Sequence, residues 1–259
     1  MSNPEIDDKR YALVLAAGNS SRFKSPLPKV VHPLCGKPLI VHILERLRSL
    51  DLEKTFVVVG HSENVVKDAV ADYNVDFVVQ EEPLGTGHAV MSATPLLKQL
   101  SGSLLVISGD TPMIRLPTLE QLFETREKHD ADEVLLTAIH ENPQGYGRII
   151  RDPKGEAVDI VEDKDATAGQ KETREVNTGI ACFKINTLLE GLSHLSQDNA
   201  AGEYYLTDLV CIFCSLGHTV LTVRSEHPDE ALGINSLEEL AEAEGKMKEK
   251  ESRIQKKEV

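Results

Sequence analysis

A chain of 259 residues with 41% apolar content suits one large α/β domain or two small ones, since domains hold roughly 100–200 residues and α/β folds reach about 250. Its 42 acidic against 28 basic residues give a net charge of −14, and with no long Lys/Arg run a nucleic-acid partner is not expected. The apolar runs are far shorter than the ~20 residues of a membrane span. The opening Met1-Ser-Asn-Pro-Glu-Ile-Asp-Asp lacks the basic and apolar regions of a secretory signal, so a soluble, cytoplasmic protein is expected.

In chain order, apolar runs predict strands at Tyr11–Ala17, Thr55–Val59, Asp76–Val79 and Leu104–Ser108. Between them, amphipathic stretches predict helices near Leu39–Ser49, Glu63–Ala71 and His88–Leu97. The strands are apolar on consecutive residues, as when helices cover both faces of a parallel sheet, so the fold class is α/β, doubly wound, mostly parallel and Rossmann-like. Closely spaced runs at Glu133–Ile139, Gly147–Arg151 and Ala157–Val161, around the turn Asp152-Pro-Lys-Gly155, predict antiparallel strands inserted beside the main sheet. Cys211 and Cys214 form a Cys-x-x-Cys that is half a zinc site, a redox pair, or two thiols on the buried face of a helix over Leu206–Leu216. Cys35 and Cys182 make no second pair, which favours the buried face. From Ser236 to Val259 a charged helix is predicted, capped by Ser236 with Glu238 and Glu239 in its first turn, and read as a surface helix or frayed tail in preference to a specific docking helix. There is no internal repeat, and in particular no hexapeptide β-helix repeat.

The loop after the first strand, Ala16-Ala-Gly-Asn-Ser-Ser-Arg-Phe-Lys-Ser-Pro-Leu-Pro-Lys29, is either a triphosphate cradle or a solvated connection. Its glycine admits an anion to the backbone, Arg22, Lys24 and Lys29 supply positive charge, and it lies at a carboxyl strand end, where open α/β sheets bind ligands. It matches neither the Walker A nor the Gly-x-Gly-x-x-Gly pattern. A second loop, Gln80-Glu-Glu-Pro-Leu-Gly-Thr-Gly-His-Ala, enters a helix with backbone and hydroxyl donors, and the Gln80 amide carries the donor and acceptor that match uracil. Asp110, in Gly-Asp-Thr-Pro at the end of the fourth strand, is a Mg²⁺ ligand or a turn residue. Asn235 in Gly-Ile-Asn-Ser is a second oxygen ligand or a helix cap. Tyr146-Gly-Arg, Val161-Glu-Asp-Lys-Asp-Ala166, Glu175-Val-Asn-Thr-Gly179 and Gly202-Glu-Tyr-Tyr-Leu-Thr-Asp208 offer the N–H, carboxylate and amide groups that grip sugar hydroxyls. His32, His61 and His88 have no paired Ser or Cys, so a covalent triad has no support.

The ordered set of these motifs, with Leu-Ala-Ala-Gly, Leu-Pro-Lys-Val-Val-His and Gly-Ile-Asn among them, resembles the uridyltransferase half of the bacterial bifunctional N-acetylglucosamine-1-phosphate uridyltransferases/glucosamine-1-phosphate acetyltransferases. The resemblance runs from about Tyr11 to the tail helix and implies transfer from UTP to N-acetylglucosamine 1-phosphate with Mg²⁺, giving UDP-N-acetylglucosamine, a peptidoglycan precursor, and pyrophosphate. It implies that Leu15, Ala16, Ala17, Gly18 and Gln80 contact the uridine, that Gly85, Thr86, Ser108 and Gly109 line the nucleotide site, and that Arg22 and Lys29 grip the phosphates. It further implies Asp110 and Asn235 as metal ligands and Gly147, Glu162 and Asn177 as sugar contacts. The organisation it implies is a polar tail over 1–10, a nucleotidyltransferase domain over 11–235 and a charged helix over 236–259.

Two departures stand out. Gly-Asn-Ser-Ser-Arg-Phe replaces the family's common Gly-x-Gly-Thr-Arg-Met, so Ser20 costs the loop a glycine; similar serine versions occur in cytidylyltransferases, which lack Leu-Gly-Thr-Gly-His-Ala. The resemblance also stops before the family's left-handed β-helix, so acetyl transfer is expected to be absent and the trimer that the β-helix builds is not implied. Rival readings are the same chemistry on glucose or N-acetylgalactosamine 1-phosphate, a silent nucleotide-sugar sensor, and a structural interaction module.

Overall fold

The computed structural model describes residues 9–18, 23, 25, 27–230 and 233–255. The first half alternates strand and helix: β1 (Arg10–Leu15), a small hairpin of β2 (Pro33–Leu34) and β3 (Lys37–Pro38), α1 (Leu39–Leu47), β4 (Lys54–Val59), α2 (Glu63–Ala69), β5 (Asp76–Val79), α3 (Thr86–Ser92), α4 (Thr94–Leu97) and β6 (Ser103–Ser108). It continues with α5 (Leu116–His129), β7 (Glu133–Ile139), β8 (Arg148–Arg151), β9 (Ala157–Val161), α6 (Ala168–Lys171), β10 (Glu175–Lys184), α7 (Ile185–Leu192), α8 (Leu209–Leu216), β11 (Val220–Arg224) and α9 (Leu237–Gln255). The stretch expected as one helix over His88–Leu97 is broken at Ala93, because Pro95 enters the first turn of α4 and cannot donate back into α3.

The sheet runs β11-β7-β10-β6-β1-β4-β5. Strands β6, β1, β4 and β5 are parallel, as are β7 and β11, while β10 runs antiparallel between β6 and β7. The doubly wound, mostly parallel reading holds, with one correction to the antiparallel part. β7 sits inside the main sheet, and only the β8–β9 hairpin branches from it, through the pair Val176 and Arg148. β10 joins the two regions; half-exposed or exposed residues alternate with buried ones from Glu175 to Ile180, and Ala181, Cys182 and Phe183 are then all buried, so no single period marks it in the sequence.

Consecutive apolar residues in β1 and β6 serve opposite faces. Ala12, Val14, Leu105 and Ile107 meet α1, α2 and α5, whereas Leu13, Leu104 and Val106 meet α3, α4, α7 and α8. Helices α7 and α8 touch through Gly191, where an added Cβ would lie 2.5 Å from Phe213 Cε1 and 2.8 Å from Leu209 Cδ2. Replacing Gly191 by Ala is predicted to overpack this contact and cost about 2 kcal/mol, measured as a lower denaturation midpoint with an unchanged m value.

Two tail expectations change. α8 turns Leu209, Val210 and Phe213 inward, which leaves Cys211 exposed and Cys214 half-buried; burial also pushes both thiols up, away from thiolate. Ser236 does cap α9, accepting the Glu239 N–H at 3.1 Å, but the helix is not a loose surface element. Ala243 is buried with Phe23, Leu34, Leu39 and Ile234, and Leu240 and Met247 pack beside it. Spacing of three and four residues puts these side chains on one face, a short apolar stripe hidden among the Glu/Lys residues. Among the described residues no helix is long and apolar enough to cross a membrane.

Candidate active site

The chain winds from β1 out to β5 and returns to β6 on the other side of β1, so the winding reverses between β1 and β6. A crevice at the carboxyl ends of these strands is where such sheets bind ligands. There the Gly109 N–H donates to Leu15 O at 2.8 Å, and an added Cβ on Gly109 would lie 3.0 Å from Leu15 O and 2.9 Å from Val30 Cγ1. Glycine is required at this position for clearance. Ala16, Ala17 and Gly18 leave the strand beyond Leu15, and among the described residues nothing lies within 4 Å of an added Cβ on Gly18. Ser108 closes β6 in register with Leu15. Ser20, Arg22 and Lys24 lie outside the described residues.

Lys29, Asp110 and Asn235 converge at this crevice from three distant segments. The Lys29 ammonium makes a short ion pair with the Asp110 carboxylate and donates to Asn235 Oδ1 at 3.0 Å. The strand end fixes Asp110, whose carbonyl accepts the Ile234 N–H at 2.9 Å. Gly233 brings its backbone against the carboxylate: an added Cβ would lie 3.1 Å from Asp110 Oδ1. Asn235 is held from both sides, its N–H donating to Glu239 Oε2 at 2.6 Å and its Nδ2 to Gly233 O at 3.2 Å. It precedes the Ser236 cap and turns its oxygen to the cation instead. Among the described residues no group of three or more His, Cys, Asp or Glu side chains could hold a metal. One carboxylate and one amide oxygen, already gathered around a single cationic atom, suit a hard ion that takes its remaining ligands from phosphate and water.

Gln80 is buried at the end of β5, where its N–H continues the ladder to Val59 O at 2.8 Å. Its Nε2 donates to Gly85 O at 3.1 Å and to His88 Nδ1 at 3.1 Å. With His88 Nδ1 as the acceptor both amide protons are engaged, and the side chain then offers a base edge its carbonyl oxygen. His88 is held in turn by stacking on Tyr204 at 6.2 Å between centroids. Gly85 has φ +107°, and an added Cβ would lie 2.6 Å from Tyr204 O; the Gly87 N–H donates to that same oxygen at 2.8 Å. Thr86 Oγ1 accepts the Leu206 N–H at 3.1 Å. The visible work of this loop is to clasp the segment 203–206.

That segment leads to the third group. Thr207 Oγ1 donates to Glu162 Oε1 at 2.9 Å, Gly147 leaves room for Glu162, which would sit 3.3 Å from an added Cβ, and the Gly147 carbonyl accepts the Asn177 N–H at 2.8 Å. Asn177 Oδ1 accepts the Gly179 N–H at 3.1 Å where β10 bulges. Burial, opposed by the Thr207 hydrogen bond and reinforced by Asp208, Asp165 and Asp163, raises the Glu162 carboxyl above its ordinary range. Burial with Asp159 and Asp165 nearby lifts Asp208 to about 6. The surroundings of Glu162 are thus acidic, while Lys29 brings a cation to the strand ends of β1 and β6. His88, Tyr204 and Thr207, which position Gln80, the glycines and Glu162, carry no sequence signal of their own; only their place inside the two motifs singles them out.

Residues 12–158 match the family of the MobA-like NTP transferase domain. Proteins named "Bifunctional protein GlmU" are similar to the chain: that of Geobacillus sp. (strain WCH70) is 43% identical over 242 residues, covering 93% of the chain and 52% of that protein. The protein of Listeria welshimeri is 46% identical over 235 residues, covering 91% and 51%. The chain thus spans about half the length of the curated relatives it matches. Among solved structures, a UDP-glucose pyrophosphorylase complexed with UDP-glucose superposes with a TM-score of 0.75 at 19% identity, covering 93% of this chain and 99% of that one. A CMP:2-keto-3-deoxy-manno-octonic acid synthetase complexed with CTP gives 0.70 at 18%, covering 94% and 100%. These two likenesses concern the fold. The family match covers more than half of the chain, from the third residue of β1 to the β8–β9 hairpin, and it takes in the strand ends of β1 and β6: the chain belongs to the family of MobA-like NTP transferase domains.

Proposed function

We propose that this chain transfers the uridylyl group of UTP to N-acetylglucosamine 1-phosphate, releasing pyrophosphate, in the cytoplasm. The observation that carries the reading is the convergence of Lys29, Asp110 and Asn235 at the carboxyl ends of β1 and β6, with an acidic pocket around Glu162 further along the same crevice. The relatives named GlmU support the choice of substrates. The domain over 11–235 works with the charged segment of 236–259, whose helix α9 docks through Leu240, Ala243 and Met247.

In this reading the sugar-phosphate oxygen attacks the α-phosphorus in line with the departing pyrophosphate, and no protein nucleophile takes part. Mg²⁺, held by Asp110 and Asn235, would supply Lewis-acid neutralisation of phosphate charge. Lys29 and Arg22 grip the phosphates and offset negative charge as it spreads. Leu15, Ala16, Ala17, Gly18, Ser108 and Gly109 form the floor on which the nucleotide lies, and the Gln80 carbonyl oxygen accepts the N3–H of uracil. Gly85 and Thr86 close that side. Gly147, Glu162 and Asn177 hold the sugar by its hydroxyl and amide groups. Holding two polyanions in one geometry is the larger part of the task and is worth roughly 7–11 kcal/mol when the alignment is good.

Replacing Thr207 by Val is predicted to release Glu162 and raise KM for the sugar phosphate several-fold with little change in KM for UTP; equal changes in both would remove Thr207 from the sugar pocket. The test of the function is pyrophosphate release from four nucleoside triphosphates against N-acetylglucosamine, glucose and N-acetylgalactosamine 1-phosphates, each with and without Mg²⁺. Release confined to UTP with N-acetylglucosamine 1-phosphate and Mg²⁺ is expected. Turnover of a different pair would change the substrate, and silence in a chain that binds UDP-sugar would make it a sensor.

A further inference from the structure

We propose that Lys29 and the divalent cation compete for the same two oxygens, so that the metal enters the site together with the triphosphate and not ahead of it. This rests on the metal and nucleotide reading above. The Lys29 ammonium contacts the Asp110 carboxylate and Asn235 Oδ1 at once, and the pair is well shielded, with the two side chains 19% and 7% exposed. Away from water an ammonium is a compact point charge of undiminished reach. A second cation approaching these oxygens meets a carboxylate already neutralised and a like charge beside it.

The oxygens sit on an ordered frame. Asp110 is held at its carbonyl by the Ile234 N–H and its carboxylate lies close beside the Gly233 backbone, and Asn235 is pinned by Glu239 and by the Gly233 carbonyl. Lysine has the flexible partner's role: a four-carbon stem carrying three rotatable donors. A triphosphate arriving over β1 offers several anionic oxygens to the ammonium in exchange for one carboxylate and one amide, and its departure from Asp110 and Asn235 opens both to the metal. Linkage then requires reciprocity, with nucleotide tightening metal binding and metal tightening nucleotide binding by the same factor. Lys29 therefore both binds phosphate and keeps the site from loading with metal alone.

The test uses Mn²⁺ as a paramagnetic probe, titrated into the nucleotide-free chain and into the chain with α,β-methylene UTP. Lys29→Met is expected to bind Mn²⁺ at least tenfold more tightly than the unaltered chain without nucleotide, and to gain less from nucleotide. Lys29→Gln should behave alike, which covers a folding failure in either variant, and a crystal structure with Mn²⁺ and nucleotide should show Nζ off both oxygens. Unchanged Mn²⁺ affinity in folded Lys29 variants, an equal gain from nucleotide in all forms, or an ammonium still bridging both oxygens beside bound Mn²⁺ would overturn the proposal. Asp110→Asn separates the two levels: Mn²⁺ binding that survives it overturns the metal assignment and this proposal with it. If that variant loses Mn²⁺ while the Lys29 variants gain nothing, the competition alone is overturned.

Discussion

Asp110→Asn is expected to lower the rate of pyrophosphate release by about 10³-fold while the chain stays folded. Asp110 is buried at the end of β6, faces the switch between β1 and β6, and contacts Lys29. The amide keeps the size and shape of the carboxylate and the carbonyl bond from Ile234 is untouched, so neither packing nor the strand end should change. What is lost is one negative charge, and with it the hold on a hard cation. Removing a single preorganised electrostatic group from a reaction that builds charge costs about 10²–10³ in rate, and loss of the metal's own neutralisation adds to that. Assay at saturating substrates with Mg²⁺ varied, beside circular dichroism and a thermal melt, gives the comparison. A variant within tenfold of the unaltered chain would take Asp110 out of the chemistry.

The position of Asp110 was legible in the sequence because a carboxylate directly after an apolar strand lies on the functional side of such a sheet. The same strand-end logic singled out the loop after β1, and the amide chemistry of Gln80 drew notice to the second loop, whereas contacts of Leu15 to Gly18 with uridine were implied by the resemblance alone. Asn235 was legible only as an oxygen donor next to a cap; its contact with Lys29 comes from a segment that forms no sheet and follows no period. β10 escaped because it alternates poorly, one end covered by β6 and β7 on both sides and the other bulged at Asn177. The docking of α9 was open in the sequence only as the less favoured reading, for a different reason. Its apolar face is Leu240, Ala243 and Met247 in a helix otherwise charged, and the patch it covers, Phe23, Leu34, Leu39 and Ile234, is assembled from four places in the chain. Thr207 and His88 act through other side chains, and such second contacts have no spacing rule.

The second large effect concerns stability. Glu133 opens β7 between β10 and β11, is 1% exposed, and its Oε2 has no hydrogen-bond partner among the described residues. Burial alone pushes its carboxyl from 4.5 to about 8, so the folded chain carries it protonated at neutral pH. A group raised on folding stabilises fully below its unfolded value and loses that contribution as pH rises toward its folded value. Stability should fall between about pH 4.5 and 8, by roughly 4 kcal/mol at the upper end for this group. Glu133→Gln removes the titration and keeps the volume. Its buried amide costs about 1–3 kcal/mol for want of partners, so at pH 5 the variant is expected to be the less stable and at pH 8 the more stable by about 2 kcal/mol. Denaturation midpoints of both chains across this range should cross; parallel curves would show that Glu133 is ionised in the folded chain or reaches water.

The three residues at the head of the crevice are also far apart along the chain. Lys29 is separated from Asp110 by 81 positions and from Asn235 by 206, and closing contacts over such separations is slow compared with local pairing. Strands β1, β4, β5 and β6 can all pair while later segments are still being synthesised, since domains fold progressively as they emerge. A polypeptide at that stage has the strand end at Leu15 and the Asp110 carboxylate, but not the Asn235 amide that Lys29 also contacts. In the proposed reading the grip on the metal is therefore completed only when the segment at Asn235 joins, however well the first strands are formed.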